Sequence, residues 1–369
     1  MFALARYPEN KRDSLRAWDA ADEYLLHHLS TESLPATGYR TLILNDAWGA
    51  LSTALANAAP WALSDSFLSH RGTEANLARN GRSDASVRLL SPLDKPDEAI
   101  DLLLFKVPKS LALLEDELYR LRPFLHSQTQ IVGAGMVRDV HTSTLDLCKR
   151  LIGPTHTSLA QKKARLIFSQ FDTELDVGAS PYPTAYSLEC TKLTLENAAN
   201  VFSRQRLDNG TRLLLQHIPS LSGAPHIADL GCGNGVIGLV AAERIPQAEL
   251  LFVDESFMAI FSARANFKRA FAERSAHFAV GDGLESCPPN SLDLVLCNPP
   301  FHRQHAIDQT GPWRMFAQAQ RARKPGGPLL IVGNGGLRHH GRIQRIFGHC
   351  KALERTGKFV LLSAHKRSG

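Results

Sequence analysis

An order of short apolar strands and helices, present in both halves of the chain, most constrains what this sequence can fold into. In the second half, His226 to Leu230 is a predicted strand that leads into a glycine-rich turn and an apolar helix from Val236 to Ile245. Further strands are predicted at Leu250 to Val253 and at Leu292 to Cys297, with a helix through Asn266 between them. Such alternation predicts β-α-β units that form a parallel sheet with helices on its faces.

The first half repeats this order. Thr41 to Leu44 is a predicted strand, Ala50 to Ala58 is a predicted helix, and Asp101 to Phe105 is a strand that runs into Lys106-Val107-Pro108-Lys109. Two further pairs of segments match between the halves: Asp65-Ser66-Phe67 with Asp254-Glu255-Ser256-Phe257, and Ala75-Asn76 with Ala265-Asn266. A repeated order of elements with matching residues indicates an internal duplication.

A segment with the composition of a linker separates the two halves. Phe171 to Tyr186 carries one glycine, one serine and two prolines without a helical or strand period. We therefore predict two α/β domains, at residues 1–175 and 187–369, each built on a mostly parallel sheet flanked by helices. The length of 369 residues accommodates two domains of ordinary size.

Composition places the chain among globular proteins. Apolar residues make up 44% and charged residues 21%, and no apolar run approaches the roughly 20 residues of a membrane helix. The first residues lack the order of a signal peptide, so we expect a cytoplasmic protein. The six cysteines include no C-x-x-C pair, so we expect neither a metal site nor a disulfide framework.

The charge of the chain is mildly basic, with a net charge of +6 and a pI near 9.0. These values are compatible with a polyanionic partner, but many enzymes share them. Three basic clusters are each explained as solvated faces and together can form an RNA track. They are Lys162-Lys163-Ala164-Arg165, Arg321-Ala322-Arg323-Lys324, and Arg338 to Arg345.

The turn after Asp229 has the composition of a cofactor site, because a turn with few side chains lets backbone N–H groups and a helix N-terminus approach a ligand. Its glycines also satisfy G-x-G-x-x-G, so a dinucleotide such as NAD must be weighed. Asp229, which comes before the glycines, favours S-adenosylmethionine, a cofactor with an amino acid tail. Its carboxylate can accept hydrogen bonds from an ammonium group. The turn residues predicted to bind the cofactor are Gly231, Cys232, Gly233, Asn234 and Gly235.

Acidic residues also end the next two predicted strands. Asp254 can accept both ribose hydroxyls of either cofactor. Glu255 beside it is included in the predicted site, although a helix cap explains it equally well. Asp282 and Gly283 follow a strand over His277 to Val280, where an adenine amino group can be met. A turn aspartate is an equally ordinary explanation of Asp282.

The motif that decides between the cofactors is Asn298-Pro299-Pro300-Phe301, at the end of a strand beside the predicted pocket. An amino nitrogen conjugated with a ring is a poor nucleophile because its lone pair is delocalised. The Asn298 side-chain carbonyl and the Pro299 backbone carbonyl can accept its two N–H bonds and hold it towards a sulfonium methyl group. The prolines fix the loop, and Phe301 offers a face to a base lifted from its stack. At this position in the sheet, a plain proline-rich turn is the weaker explanation.

Residues shortly before the glycine turn are weaker candidates. Phe202 can cover the cofactor together with Ser203, Leu207, Asp208 and Thr211. Core packing and a helix cap explain the same residues, so both interpretations stay open.

The whole chain, beyond these motifs, resembles the bacterial ribosomal RNA large subunit methyltransferase G family, sister to the small subunit methyltransferase C family. The resemblance implies methylation of the N2 amino group of one guanine in 23S ribosomal RNA, with S-adenosylmethionine as donor and no metal. It also implies two tandem Rossmann-like class I methyltransferase domains, of which only the second is active. The stretches that carry it are Ala17 to Tyr24, Leu42 to Ala47, Lys106 to Lys109, Asn200 to Ser203, Asp229 to Leu239, Val253 to Ser256 and Cys297 to His302.

The first half lacks the glycine turn in either of two alignments. These alignments take Asp46 or Asn45 as the match of Asp229. The glycine positions then hold Trp48 and Ala50 in the first case, and Ala47, Gly49 and Leu51 in the second. Either alignment puts side chains where a cofactor must pass, which predicts a degenerate first domain.

Lys106 stands where the second half has Asn298. An ammonium group has donors only, so it cannot accept a bond from an amino group. Lys106 and Lys109 would suit phosphate instead. We therefore hypothesise that the first half is a folded RNA-binding platform.

Alternative functions stay open on the sequence. The same Asn-Pro-Pro-aromatic loop serves 16S rRNA guanine-N2, adenine-N6 and protein glutamine methyltransferases. A rival from another class is a non-catalytic RNA-binding ribosome assembly factor with a vestigial methyltransferase fold, against which the intact Asn298 loop argues. The oligomeric state is left open and is compatible with a monomer.

Overall fold

A computed structural model of the chain describes residues 2–10, 15–35, 38–299, 310–334 and 339–366. The chain divides into two compact units, Met1–Tyr182 and Pro183–Gly369. The division lies within the segment of linker composition. The last three residues of that segment, from Thr184 onwards, already belong to a strand of the second unit.

The described residues of the first unit form seven strands and five α-helices. The strands are β1 (Thr41–Leu44), β2 (Trp61–Leu63), β3 (Arg88–Leu90), β4 (Leu102–Lys106), β5 (Gln130–Met136), β6 (Thr155–Thr157) and β7 (Ala164–Gln170). The helices are α1 (Ala20–Thr31), α2 (Ala50–Ala54), α3 (Phe67–Arg79), α4 (Leu111–Leu121) and α5 (Thr142–Leu151). Short 3-10 turns lie at Ala56–Ala58, Asp84–Ser86 and Arg122–Phe124.

These seven strands form one sheet in the order β3-β2-β1-β4-β5-β7-β6. The first five are parallel, and β7 runs antiparallel to both of its neighbours. The loops that follow the parallel strands therefore leave the sheet at one edge, the carboxyl edge. Strand β7 begins at this same edge, because Ala164 pairs with Met136 at the end of β5.

The described residues of the second unit form nine strands and five helices. The strands are β8 (Thr184–Ser187), β9 (Thr194–Asn197), β10 (His226–Leu230), β11 (Glu249–Asp254), β12 (His277–Val280), β13 (Leu294–Cys297), β14 (Pro328–Asn334), β15 (Gly348–Arg355) and β16 (Phe359–Lys366). The helices are α6 (Asn209–Gln216), α7 (Val236–Arg244), α8 (Phe257–Ala270), α9 (Thr310–Ala322) and α10 (His339–Phe347).

The second sheet repeats the first strand for strand, in the order β12-β11-β10-β13-β14-β16-β15. Strand β16 is again antiparallel to its two neighbours. Strands β8 and β9 form a separate antiparallel pair. The predicted fold, two mostly parallel Rossmann-like sheets flanked by helices, is confirmed.

Both faces of each sheet are covered, which is typical of parallel sheets with crossover helices. In β13, Leu294 and Leu296 pack into one apolar cluster, and Val295 and Cys297 pack into another on the opposite face. This arrangement explains why the predicted strands read as continuous apolar runs rather than as alternating ones. Among the described helices, none combines the length and the apolar character that crossing a membrane requires.

Most differences between predicted and observed elements are of one residue at an end, and two elements differ by more. The helix predicted over Ala50 to Ala58 is α-helical only as far as Ala54 and ends in a 3-10 turn, which is common at helix C-termini. The strand predicted from Leu292 begins at Leu294. Leu292 forms an isolated bridge with Arg323 instead.

Candidate active site

Three neighbouring strands of the second unit end side by side at the carboxyl edge. Leu230 at the end of β10 pairs with Val253 of β11 and with Cys297 of β13. The residues that come next lie side by side at this edge, and one of them, Asp254, is the last residue of β11. They are Gly231, Asp254 and Asn298, which the sequence assigned to the cofactor turn, the ribose acceptor and the amino-group acceptor.

The glycine turn between β10 and α7 has a left-handed backbone, with φ of +72° at Gly231, +53° at Gly233 and +82° at Gly235. Side chains of L-residues rarely adopt this conformation, so the turn requires glycine. A Cβ atom at Gly235 would lie 3.0 Å from the Ala263 Cβ atom. One at Gly233 would meet no atom of the described residues within 4 Å. Gly233 therefore borders open space.

The N–H groups of Gly231, Cys232 and Gly233 bond within the protein, and contact of the turn with a cofactor stays a prediction. Gly231 and Cys232 donate to the Val253 carbonyl at 2.8 and 3.0 Å. Gly233 donates to the Asp254 carboxylate at 2.9 Å. These three bonds hold the shape of the turn, and Asp254 lies beside the open space at Gly233.

Asp229 is completely buried beneath the turn. Its Oδ2 atom accepts a hydrogen bond from the Gly238 N–H of α7 at 2.8 Å. Its Oδ1 atom is also buried and has no hydrogen-bond partner among the described residues. Burial raises the pKa of this carboxyl to about 8, despite the bond from Gly238. Protonation relieves the cost of burying this carboxyl, and its Oδ1 atom remains able to bond a ligand group that reaches it.

Asp254 lies half-buried at the end of β11, with Glu255 half-buried beside it. Its Oδ2 atom accepts from the Gly233 N–H, and its Oδ1 atom accepts from the Ser256 N–H at 3.0 Å. Burial raises the pKa of Asp254 to about 6, although both bonds oppose the shift. The carboxylate therefore links the glycine turn to the start of α8.

The side chains of Cys232 and Asn234 point into the protein. Burial holds the pKa of the Cys232 thiol well above its usual value. The Asn234 amide donates to the Tyr186 hydroxyl at 3.1 Å and to the Asn197 side chain at 2.8 Å. Of these two predicted cofactor residues, only the backbone can border a ligand.

Asn266 of α8 is a structural residue of the turn that sequence reasoning did not assign. Its amide donates to the carbonyls of Asn234 at 3.0 Å and Glu196 at 2.9 Å, which ties α8 to the turn and to β9. A signal for it was present. Asn76, its match in the first half, donates to the Trp48 carbonyl at 2.8 Å in the same way.

Asp282 and Gly283 follow β12 and contact helix α9. The Asp282 carboxylate pairs with Arg314 at 2.7 Å, and the Asp282 carbonyl accepts from Gln318 at 3.0 Å. A Cβ atom at Gly283 would lie 2.3 Å from the Gln318 Oε1 atom. Burial raises the pKa of Asp282, although Arg314 opposes the shift. The sequence analysis missed Arg314 and Gln318, whose four-residue spacing on the helix after the Asn-Pro-Pro-Phe motif was the available signal.

The Asn298 side chain is held by the start of helix α6. Its Nδ2 atom donates to the Thr211 hydroxyl at 2.9 Å and to the Asp208 carboxylate at 3.2 Å. A carboxylate only accepts hydrogen bonds, so the amide must present its nitrogen there and direct its carbonyl oxygen away from α6. Pro299 is buried beside it. Pro300 and Phe301 lie outside the described residues.

Among the weaker candidates, Phe202 is a surface residue and Asp208 and Thr211 belong to the start of α6. Phe202 is 58% exposed. Asp208 caps α6, because its carboxylate accepts the Thr211 N–H at 2.9 Å, and the helix-cap interpretation of Asp208 is confirmed. Asp208 and Thr211 also contact Asn298, and their role as a cover for the cofactor stays a prediction.

The duplication aligns the two units differently from either predicted alignment. In the first unit Leu44 pairs with Leu63 and Phe105, as Leu230 pairs with Val253 and Cys297 in the second. Both alignments of the turn were therefore wrong. The positions of Gly231, Gly233 and Gly235 are held by Asn45, Ala47 and Gly49, with a φ of +61° at Asn45 and +75° at Gly49.

Two acidic positions also change under this alignment. Helices α3 and α8 begin at matching residues, with Ser66 and Ser256 as their N-caps. Ser64 therefore stands at the place of Asp254, where we had matched Asp65. Asp46, which comes from the turn, accepts the Ser52 N–H at 2.8 Å, and this is the bond that Asp229 makes from the strand in the second unit.

Lys106 does stand at the position of Asn298, but it is not a free cation. Its ammonium pairs with Asp22 at 2.6 Å and with Asp19 at 2.9 Å, and only 13% of its side chain is exposed. The expectation that Lys106 binds phosphate is therefore wrong, because two carboxylates of α1 and its cap already neutralise it. Lys109 is exposed.

Comparison with protein families and solved structures agrees with this architecture. Residues 1–173 match the family model described as the RLMG N-terminal domain, and residues 192–363 match the methyltransferase small domain. The solved structure of the T. thermophilus 16S rRNA N2 methyltransferase RsmC, in complex with AdoMet and guanosine, superposes with a TM-score of 0.78. It covers 96% of this chain and 94% of that one at 21% identity, so the likeness is one of fold. The fold and the site define the chain as a tandem-domain methyltransferase.

Full-length relatives narrow this class. A protein of Streptomyces avermitilis named ribosomal RNA large subunit methyltransferase G is 50% identical, over 99% of this chain and 97% of that one. Proteins of the same name from Streptomyces griseus and Stutzerimonas stutzeri are 51% and 47% identical over comparable lengths. The chain belongs to the ribosomal RNA large subunit methyltransferase G family, and the resemblance drawn from its sequence is confirmed.

Proposed function

We propose that the chain methylates the N2 amino group of a guanine in 23S ribosomal RNA, with S-adenosylmethionine as the methyl donor. Membership of the family supports methylation of ribosomal RNA, and the names of the relatives specify the large subunit. The observation that carries the acceptor chemistry is the Asn298 amide. Its nitrogen is fixed by Asp208 and Thr211, so its carbonyl oxygen is available to an amino group.

The residues at the carboxyl edge fit S-adenosylmethionine. Gly233 borders open space, and the buried Oδ1 atom of Asp229 has no partner among the described residues. Asp229 would meet the methionine ammonium group, Asp254 the ribose hydroxyls and Asp282 the adenine amino group. Of these acids, Asp229 favours a cationic donor, because the pyrophosphate of NAD would gain nothing from a carboxylate there. Asp254 would suit the ribose of either cofactor, and the Asp282 carboxylate already pairs with Arg314.

Chemistry at this site needs a methyl group, which the sulfonium of S-adenosylmethionine supplies when bound. The chain's part is to present the acceptor nitrogen. The Asn298 carbonyl and the Pro299 backbone carbonyl would accept its two N–H bonds, which favours the pyramidal geometry in which the lone pair is free to react. As the nitrogen becomes positive during transfer, both bonds strengthen, so they stabilise the transition state more than the ground state.

A transfer assay tests the proposed function. Ribosomal RNA from a deletion strain, incubated with the protein and donor carrying a labelled methyl group, should gain the label at one guanine. The Asn298→Ala variant should lose transfer by roughly 100-fold or more, because one preorganised acceptor is gone. Its affinity for S-adenosylmethionine should stay within about twofold, which also verifies that the variant is folded.

The modified nucleotide decides among the alternatives. Label in 16S rRNA, at adenine N6 or on a protein glutamine would move the assignment to the corresponding methyltransferase. No transfer by the wild-type protein to any of these would favour the non-catalytic assembly factor. An Asn298→Ala variant that methylates at the wild-type rate would contradict the mechanism while leaving the substrate in place.

The first unit would serve as a folded platform for the same RNA. It keeps the sheet of the second unit but has Asn45, Ala47 and Ser64 where the second has two glycines and the ribose acceptor. At the position of Asn298 it has a neutralised lysine, which cannot accept a bond from an amino group. Its contribution is therefore binding rather than chemistry.

A further inference from the structure

The hairpin of β6 and β7 ends in an unusual turn at the carboxyl edge of the first sheet. Gln161 and Ala164 exchange two backbone hydrogen bonds, at 2.9 and 2.8 Å, and enclose a two-residue turn. The enclosed residues, Lys162 and Lys163, have φ of +46° and +65°. Two consecutive lysines are thus held in the left-handed region.

This conformation is costly for lysine. Two-residue hairpin turns with positive φ at both positions favour Asn-Gly and Gly-Gly, because a Cβ atom crowds the backbone there. Neither lysine is needed to make the turn, and better turn residues exist for both positions. A strained pair points to a function of what it displays, here two neighbouring ammonium groups.

Exposed apolar and basic residues surround the turn. Leu159 of the same hairpin is 86% exposed, the highest value among the exposed large apolar side chains described. Val137, in the loop after β5, is 41% exposed, and its N–H donates to the Lys163 carbonyl at 2.8 Å. Arg138 follows it with 69% of its side chain exposed. We call Val137, Arg138, Leu159, Lys162 and Lys163 the hairpin-tip surface.

The cations of this surface are available to a polyanion. Lys162 pairs with Glu23 at 3.0 Å, but 78% of its side chain is exposed, and such surface pairs are weak and exchangeable. Arg138 lies 3.7 Å from its neighbour Asp139 in a similarly open pair. Among the described residues, no carboxylate lies within the 4.0 Å of an ion pair from the Lys163 ammonium.

We propose that the hairpin-tip surface is where the first unit holds ribosomal RNA. This inference rests on the proposed function. Arg138, Lys162 and Lys163 would contact phosphates, and Leu159 would pack on an unstacked base or sugar between them. Phosphates spaced along a strand, with apolar base faces between, match adjacent cations beside one exposed apolar side chain.

A turn replacement separates the function of the lysines from their effect on folding. The double variant Lys162→Asn, Lys163→Gly installs the sequence that a left-handed two-residue turn prefers. Its thermal midpoint should equal or exceed that of the wild type. Its affinity for unmodified 23S rRNA, transcribed in vitro, should fall about tenfold, since two phosphate contacts are lost.

Salt dependence identifies the kind of contact. In a plot of the logarithm of the binding constant against the logarithm of salt concentration, the slope should shrink by about 2, or one per lysine. The matched control is Lys95→Gln with Lys149→Gln, which removes the same charge from two exposed lysines elsewhere on the first unit. The control should keep RNA affinity within about twofold if position matters more than net charge.

Equal RNA affinity and equal salt slope for the turn variant and the wild type would overturn this inference. Equal losses in the turn variant and the control would also overturn it, because net charge alone would then explain binding. Failure of the proposed function is a distinct result, in which the wild-type protein itself transfers no methyl group to 23S rRNA. A Leu159→Gln variant with unchanged affinity would remove the apolar contact from the inference.

Discussion

At the scale of single residues, the orientation of one amide group decides what the site can do. Asn298 can accept a hydrogen bond from an amino group only if its side-chain oxygen, and not its nitrogen, faces that group. The Asp208 carboxylate sets this choice, since it can only accept, and the Thr211 hydroxyl accepts from the same Asn298 nitrogen. Asp208 also caps α6, so one residue starts a helix and orients the group that would bind substrate.

Thr211 can therefore be tested as a positioning residue. Thr211→Val keeps the shape of the side chain but removes the acceptor for the Asn298 nitrogen, and we expect kcat to fall about tenfold, the effect of one hydrogen bond. The KM for S-adenosylmethionine should not change. Thr211→Ser restores the hydroxyl and should restore most of kcat. Comparable rates for the valine and wild-type proteins would contradict the role.

The protonation state of Asp229 is a second feature of a single residue that affects the binding of a cationic ligand. Its pKa is raised to about 8 by burial, and that of Asp254 to about 6. The thiols of Cys232 and Cys297, which lie close to both, have pKa values well above the usual one and contribute no charge. A pKa of about 8 leaves Asp229 largely protonated at neutral pH.

Affinity for S-adenosylmethionine should consequently rise with pH. A cationic ligand needs the ionised carboxyl of Asp229, whose pKa is about 8. The binding constant should therefore increase by up to about tenfold for each pH unit between pH 6 and 8. Isothermal titration at several pH values measures it. Asp229→Asn should bind more weakly and lose most of this pH dependence. A flat profile for the wild type would argue against an ionic contact at Asp229.

At the scale of secondary structure elements, the same contact occurs twice with different chemistry. In each unit, the aspartate that caps a helix and the residue three positions after it contact one residue near the end of a parallel strand. That strand is β4 in the first unit and β13 in the second. In the second unit these are Asp208, Thr211 and Asn298, and in the first they are Asp19, Asp22 and Lys106. Both units thus keep the contact between the start of a helix and the end of a strand. The second unit has an amide at this contact, and the first has an ion pair.

Removing the ammonium of Lys106 should destabilise the first unit. Only 8% of the Asp22 side chain is exposed, so Lys106→Met leaves a nearly buried carboxyl without its partner, at a cost of about 3 kcal/mol of unfolding free energy. Denaturant unfolding measures this loss. The control Lys109→Met, at an exposed lysine three residues on, should change stability by less than about 0.5 kcal/mol. Equal stabilities for the two variants would refute a structural role of the pair.

At the scale of the whole molecule, the sequence predicted the doubled fold and the neighbourhood of the site. Glycines, acids and the Asn-Pro-Pro-Phe motif follow predicted strands, and the carboxyl ends of parallel strands lie at one edge. The bounds of β1, β10 and β12 agree with the predicted ones because apolar runs there end sharply at polar residues or glycine.

What the sequence could not give depends on pairing in three dimensions. The alignment of the first turn failed because Asp46 makes from the turn the hydrogen bond that Asp229 makes from the strand. The pairing of Lys106 with Asp22 joins residues 84 positions apart, and a lysine read alone looks like a phosphate ligand. The Arg314 contact with Asp282 likewise depends on where α9 packs, and the spacing of Arg314 and Gln318 shows only that they share a helix face.

The hydrogen bonds within the glycine turn bear on how the methyl donor is exchanged between rounds of catalysis. Since the amides of Gly231, Cys232 and Gly233 keep protein acceptors, neither the arrival of a fresh donor nor the departure of the spent one breaks a main-chain bond at this point. Donor exchange would therefore leave these three main-chain hydrogen bonds in place.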